Sequence, residues 1–130
     1  MKINIRAESE NAKLSFAAKT FAGDRMMRGK VGSDLTLEQG REAARMTALS
    51  ILATMNAELG SLDRIERFIK VFGMVNVAPG FNQTPSVIDG CSDVLVEIFG
   101  DAGRHARSAV GLAELPFDIA VEIELIARVH

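Results

Sequence analysis

Apolar positions recur at helical spacing in the middle of the chain. The segment TLEQGREAARMTALSILATMNAELG (36–60) carries its apolar stripe at Ala44, Thr47, Ala48, Ile51, Met55 and Leu59. Thr36 and Gln39 match a capping box, in which each side chain satisfies a free backbone N–H of the first turn. Gly60 is a typical C-terminal cap. The pattern predicts a helix over 36–60, long enough to cover one face of a small sheet.

A second helix is predicted between residues 84 and 100. Its apolar stripe is formed by Val87, Cys91, Val94, Leu95 and Ile98. Thr84 is the expected N-cap, with Pro85 at the first helical position. Gly100 is expected to end the helix.

The remaining apolar positions follow the strand period of two. KINIR (2–6) and AKLSFAAKTFAG (12–23) predict a hairpin, although Ala and Lys leave a helix open over 12–22. LDRIERFIKVFGMVNV (62–77) is apolar on both sides. One side is expected to carry Ile65, Ile69, Val71, Val75 and Val77, and the other Phe68, Phe72 and Met74. A strand of this kind is covered on both faces.

Two more strands are predicted at the end of the chain, at 106–116 and 118–130, with Pro116 in the turn between them. If they form a hairpin, positions near 111 and 122 face each other. The order β-β-α-β-α-β-β indicates an α+β fold with both helices on one face of the sheet. The other face would then pack on another copy of the chain.

Composition limits the classes of function. The 130 residues suit a single domain over 1–130, 48% are hydrophobic, and the net charge is −2. The pI of about 5.7 and the absence of Trp and Tyr argue against nucleic-acid and membrane binding. Cys91 is the only cysteine, and no apolar leader or membrane-length run is present. We therefore expect a protein of the reducing cytoplasm.

The pattern offers few groups for chemistry. Metal-ligand spacings, a phosphate loop and a dinucleotide motif are absent, so no metal or cofactor is expected. The remaining candidates are Arg107, whose planar guanidinium suits a carboxylate, and Glu122, which can hold a water. Two other interpretations stay open: Arg107 pairs with a surface or interface carboxylate, and Glu122 lies with Glu124 on a solvated strand face.

Several other polar residues have a structural interpretation. Cys91 lies on an apolar helix stripe, which predicts a buried and unreactive thiol. His105 is expected to be a loop residue. Asp89 and Ser92, near the start of the second helix, are expected to tune solubility and helix electrostatics.

Three segments resemble the RidA/YjgF family of reactive-intermediate deaminases. They are GKVGSDLTLEQGREAARMTALSILA, GSLDRIERFIKVFGMVNVAPGF and FGDAGRHARSAVGLAELPFDIAVEIELIARV, which together cover most of 29–130. Residues 1–28 diverge from the family. The resemblance implies a chorismate-mutase-like fold and a homotrimer with clefts between subunits.

The resemblance also implies site residues. Arg107 would bind the carboxylate of a 2-imino acid and Glu122 would position the attacking water, giving a 2-oxo acid and ammonia. Ser108, Ala109 and Phe81 would complete the substrate site. The segment IDGCS (88–92) departs from the family pattern, and Asp89 is expected to repel an anionic substrate.

Three hypotheses follow from the sequence. The first is an imine deaminase. The second is a trimer that binds a small carboxylate without catalysis, which the divergent N-terminal residues favour. The third is RNA cleavage, an activity attached to parts of the family by name, and the acidic pI argues against it.

Overall fold

The computed structural model describes the backbone of residues 13–19 and the whole of residues 27–130. The elements are β1 (Lys13–Lys19), α1 (Leu37–Leu59), β2 (Ile65–Asn76), α2 (Thr84–Phe99), β3 (Ala106–Leu112) and β4 (Val121–Val129). The predicted α+β class is confirmed. Residues 13–19 form a strand, so the helical alternative is wrong there. The predicted strand at 2–6 lies outside the described residues.

The four strands form one sheet in the order β1-β4-β2-β3. β4 is antiparallel to both β1 and β2, whereas β2 and β3 are parallel. The predicted hairpin between the last two strands is therefore wrong, because β2 lies between them. In register, Met74 of β2 is opposite Val110 on one side and Glu122 on the other. Parallel neighbours need a crossover connection, and α2 provides it.

The predicted caps of α1 are confirmed. The backbone N–H of Gln39 donates to Thr36 Oγ1 (3.1 Å), and the N–H of Thr36 donates to Gln39 Oε1 (2.9 Å). Gly60 ends the helix with φ of 82°, in the left-handed region that glycine adopts without strain.

The predicted cap of α2 is wrong. Gln83 occupies the N-cap position and makes no side-chain cap hydrogen bond. The hydroxyl of Thr84 instead donates to the carbonyl oxygen of Ala109 in β3 (2.9 Å). Gly100 ends the helix as expected. Thr84 thus ties the start of α2 to the edge strand.

Both helices pack on one face of the sheet. On β4 that face is formed by Val121, Ile123, Leu125, Ala127 and Val129, all buried. Two glycines permit close approach. A Cβ at Gly73 of β2 would lie 2.5 Å from the Ile88 side chain of α2, and one at Gly90 would lie 2.1 Å from the carbonyl oxygen of Arg41 in α1. A side chain at Gly73 would push α2 away from the sheet, and one at Gly90 would push the two helices apart.

Irregular pairing near the start of β2 changes which side chain is buried. The register with β4 shifts between Ile65 and Arg67 and again before Lys70. As a result Phe68 is fully buried on the helix side, with its ring 5.0 Å from that of Phe99, and Ile69 is partly exposed. The predicted assignment of these two residues was therefore reversed, because each extra residue in a strand exchanges its faces.

The second face of the sheet is partly apolar and faces away from the helices. Phe72, Met74 and Ile126 are partly exposed there, and Val110 is 39% exposed. Glu122 and Glu124 lie on the same face. The two-sided character predicted for 62–77 thus holds for the middle of β2.

Candidate functional site

Arg107 points from the edge strand β3 toward α2. In register it lies opposite Val71, a fully buried residue of the helix-side face. Its Nη1 donates to Asp89 Oδ1 (2.7 Å) and to Ser92 Oγ (3.2 Å). The side chain is 24% exposed. The charge at the start of this strand therefore has a carboxylate partner within the same chain.

The hydrogen bonds continue from Ser92 to His105. Ser92 Oγ lies 2.9 Å from His105 Nε2, and His105 Nδ1 lies 2.6 Å from the carbonyl oxygen of Gly103. A carbonyl only accepts, so Nδ1 carries the proton and Nε2 accepts from the Ser92 hydroxyl. Burial lowers the pKa of His105, the hydrogen bond to Gly103 raises it, and the charge of Arg107 lowers it further. The net direction is down, which favours the neutral ring.

Asp89, Ser92 and His105 were assigned lesser roles from sequence. Asp89 and Ser92 contact Arg107, so their interpretation as solubility and helix-electrostatic residues was incomplete. Their spacing of three is the available signal, because it places both on one side of a helix. The sequence pattern does not show that α2 lies beside β3. That placement follows from the parallel pairing of β2 and β3, which α2 connects.

One edge of the Arg107 guanidinium is free within the described chain. Nη1 has two hydrogens and two acceptors. Among residues 27–130, Nε and Nη2 have no hydrogen-bond partner. These two nitrogens can form parallel hydrogen bonds to a carboxylate. Arg107 is therefore anchored through one nitrogen and can bind an anion through the others.

Glu122 lies on the opposite face of the sheet from Arg107. It is opposite Met74 of β2 and Lys19 of β1 in register, on the face that the helices leave uncovered. A single chain consequently does not bring Arg107 and Glu122 together.

The other predicted substrate residues are also dispersed. Ser108 lies on the uncovered face, in register with Phe72 and thus in line with Glu124. Ala109 shares the helix-side face with Arg107, two residues away along β3. Phe81 lies in the β2–α2 connection, in a separate groove of about 400 Å³ with Lys30 and Glu114.

A polar network borders the Phe81 groove. Lys30 Nζ donates to Asn76 Oδ1 (2.9 Å) and to the carbonyl oxygen of Ala113, and it lies 3.6 Å from a Glu114 carboxylate oxygen. Asn76 is fully buried and donates through Nδ2 to Asp118 Oδ1 (2.9 Å). The network holds the loop that contains Lys30 and the β3–β4 connection against the end of β2.

A basic groove of about 520 Å³ lies at the other end of the sheet. Its lining is Arg67, Ile69, Arg104, His105, Ala106 and Arg128. No Phe side chain of the described residues lines it. Within the described part of the chain, His, Cys, Asp and Glu form no group of three that could hold a metal ion. None of the helices there is long and apolar enough to cross a membrane.

Cys91 is fully buried among the core side chains, as predicted. Desolvation raises the pKa of its thiol to about 12, and the charge of Arg107 opposes that shift only in part. The thiolate is the nucleophilic form, so Cys91 is unreactive in the native state.

The sequence and the fold place the chain in a known class of proteins. Residues 13–129 match the model of the family described as "YjgF/chorismate mutase-like, putative endoribonuclease". The chain belongs to this family.

Three comparisons show the range of its relatives. The chain is 43% identical over 105 residues to Protein TCP17 of Trypanosoma cruzi, covering 80% of this chain and 66% of that protein, which is just under two thirds of its length. The crystal structure of Atu1372 from Agrobacterium tumefaciens, a protein of unknown function, is similar with a TM-score of 0.91 at 34% identity, over 97% of this chain and 80% of that one. A structure described as a "putative endoribonuclease" from Shewanella oneidensis gives 0.88 at 28% identity, over 96% and 83%.

Proposed function

We propose that this chain is a cytoplasmic enzyme that hydrolyses 2-imino acids to 2-oxo acids and ammonia. Membership of the family supports the proposal, together with the resemblance of its ARS and VEIE segments (106–108 and 121–124) to those of imine deaminases. The observation that carries it is the free Nε–Nη2 edge of Arg107, held on a half-buried strand edge. Such an edge is suited to a substrate carboxylate.

Each step of the proposed reaction has a residue to support it. Arg107 binds the carboxylate and orients the imine carbon. Glu122 accepts a hydrogen bond from the attacking water, takes up its proton and then returns that proton to the leaving nitrogen. Water adds to the iminium carbon, the C–N bond breaks, and the nitrogen leaves as ammonium while the carbonyl forms. The iminium ion and one water give the 2-oxo group and ammonium, so atoms and charge balance.

The proposed site requires more than one copy of the chain. Arg107 and Glu122 lie on opposite faces of the sheet, so a cleft that contains both must combine residues of neighbouring copies. The partly apolar uncovered face around Phe72 and Met74 supplies a surface for such packing. We propose a homotrimer. Light scattering at micromolar concentration should then give about three times the chain mass of 14.0 kDa. A stable monomer would contradict the proposed cleft.

The activity is tested by generating 2-iminobutyrate with a threonine dehydratase and following 2-oxobutyrate release. The wild-type protein should accelerate release. Arg107→Ala should abolish the acceleration, and Arg107→Lys should largely abolish it, because a point charge cannot form the planar pair of bonds. Glu122→Gln should lower the rate by roughly 10²–10⁴-fold.

The control is Glu124→Gln, on the same strand and face. It should retain activity. If acceleration survives Arg107→Ala in a folded protein, the site has been placed wrongly.

A second candidate function is binding of a small carboxylate without catalysis. The separation of Arg107 and Glu122 on opposite faces of the sheet favours it, because Arg107 can bind an anion without Glu122. Arg107-dependent carboxylate binding by a protein that gives no acceleration would support this alternative. Cleavage of RNA by the purified protein, lost on substitution in the basic groove (Arg67→Ala, Arg128→Ala), would replace both proposals.

A further inference from the structure

The ion pair between Asp89 and Arg107 affects the net charge of the ligands that the Arg107 site can bind. We infer that Asp89 makes the Arg107 site select carboxylates that also carry a positive charge, and thus a 2-iminium acid over its 2-oxo acid product. The inference rests on the proposed function. It assigns Asp89 a role in specificity.

The first step of the argument is the local charge balance. Asp89 Oδ1 lies 2.7 Å from Arg107 Nη1, so the pair is neutral as a unit. Ser92 adds a hydroxyl to the same nitrogen but no charge. His105, joined to Arg107 through Ser92, has a lowered pKa and remains neutral at pH 7. Within this hydrogen-bonded set, Arg107 is the only cation.

The second step follows from where a ligand carboxylate would bind. On the Nε–Nη2 edge it would share one guanidinium with Asp89, and the two carboxylates would lie within about 6 Å. Two anions on one cation repel each other, and a half-buried position screens that repulsion less than open solvent does. A positive charge on the ligand compensates for the excess negative charge.

The third step compares substrate with product. A protonated 2-imino acid has one carboxylate and one iminium group, so its net charge is zero. The 2-oxo acid has lost the iminium group as ammonium and is a monoanion. Asp89 therefore weakens binding of the product more than that of the substrate. The contact favours product release, at a cost in affinity for simple anions.

The experiment measures two stable probes by calorimetry. L-2-Aminobutyrate represents the zwitterionic ligand, and 2-oxobutyrate represents the anion. Asp89→Asn keeps an amide oxygen that can accept from Nη1 and removes the negative charge. We expect this variant to bind 2-oxobutyrate about tenfold more tightly, the size of effect that one charge at this distance produces. The affinity for L-2-aminobutyrate should rise by less, so the ratio of the two dissociation constants should shift toward the anion.

The matched control is Asp93→Asn. Asp93 lies on the same helix and pairs with an arginine at a similar distance, Arg41 Nη2 at 2.6 Å, but on the exposed surface. It changes the charge of the protein by the same amount as Asp89→Asn. The ratio of the two affinities should stay at the wild-type value.

Each other outcome has a definite meaning. If Asp89→Asn is folded and leaves the ratio unchanged, or weakens both probes alike, Asp89 only supports Arg107 and the inference is wrong. If Arg107→Ala removes binding of both probes in that case, the proposed function survives. If the wild type and Arg107→Ala bind the probes equally or not at all, the Arg107 site is not a carboxylate site, and both proposals fail.

Discussion

Substituting Gly90 by alanine tests how closely the two helices must approach. Gly90 is buried in α2, and an added Cβ would lie 2.1 Å from the carbonyl oxygen of Arg41 in α1. Carbon and oxygen at the surfaces of packed helices stay about 3.3 Å apart or more. The distance between the added methyl carbon and this oxygen is therefore too short by more than about 1 Å. The obstructing atom belongs to helix backbone, so it cannot rotate away and the helices must separate or slide.

The expected cost can be worked out from opposing effects. Overpacking of a core contact costs about 1–3 kcal/mol, and this case belongs at the upper end because the neighbour is rigid. Replacing a helical glycine by alanine recovers about 1 kcal/mol of backbone entropy. The net loss is about 2 kcal/mol. With a urea m-value of about 2 kcal/mol/M, the midpoint of unfolding should fall by about 1 M.

Gly40→Ala is the matched control. Gly40 is also buried in a helix, so the gain in helix propensity is the same. Its added Cβ would meet the side chain of Val31 at 2.9 Å, which is a smaller overlap and involves a side chain instead of helix backbone. Both variants are measured by urea unfolding at one protein concentration, because association shifts apparent stability. A Gly90→Ala protein that is as stable as Gly40→Ala would refute the argument that backbone contact sets the helix spacing.

Three further predictions use other parts of the structure. The native pKa of His105 lies below its ordinary value of 6.5, so the unfolded chain gains a proton first as the pH falls. The unfolding free energy should therefore drop as the pH falls below about 7, and it should drop less in His105→Gln. Cys91 should react with a thiol reagent only on unfolding, and Cys91→Ala should cost about 1 kcal/mol while retaining any activity; native-state labelling would contradict this. Asn76→Ala removes one hydrogen-bond partner from each of Lys30 and Asp118. It should cost about 2–3 kcal/mol in a thermal or urea melt, and a neutral result would show that the network is dispensable.

The helices could be predicted from the sequence because their signals are local. The reciprocal bonds of Thr36 and Gln39 and the left-handed Gly60 depend on residues within one turn of each helix end. Thr84 has the same cap chemistry, yet its hydroxyl bonds Ala109, which is distant in sequence. The Thr84 hydroxyl thus binds a group of β3 instead of capping its own helix, and the local sequence pattern does not indicate this.

The order of the strands in the sheet could not be predicted from the pattern of apolar residues. A proline turn between two apolar segments indicates a hairpin, but β2 separates β3 from β4. The same parallel arrangement decides the partner of Arg107, because it places α2 beside the start of β3. Sequence reasoning identified the arginine and its need for a carboxylate. It did not identify Asp89 as the carboxylate within reach.

The position of β4 in the sheet has a consequence for synthesis of the protein. β4 pairs with both β1 and β2, although it is the last strand along the chain. A nascent chain that lacks residues 121–129 can form the β2–α2–β3 unit but cannot join β1 to it. Sheet completion must therefore wait until this segment has left the ribosome. Until then one edge of β2 lacks its partner strand, and an unpaired strand edge favours aggregation.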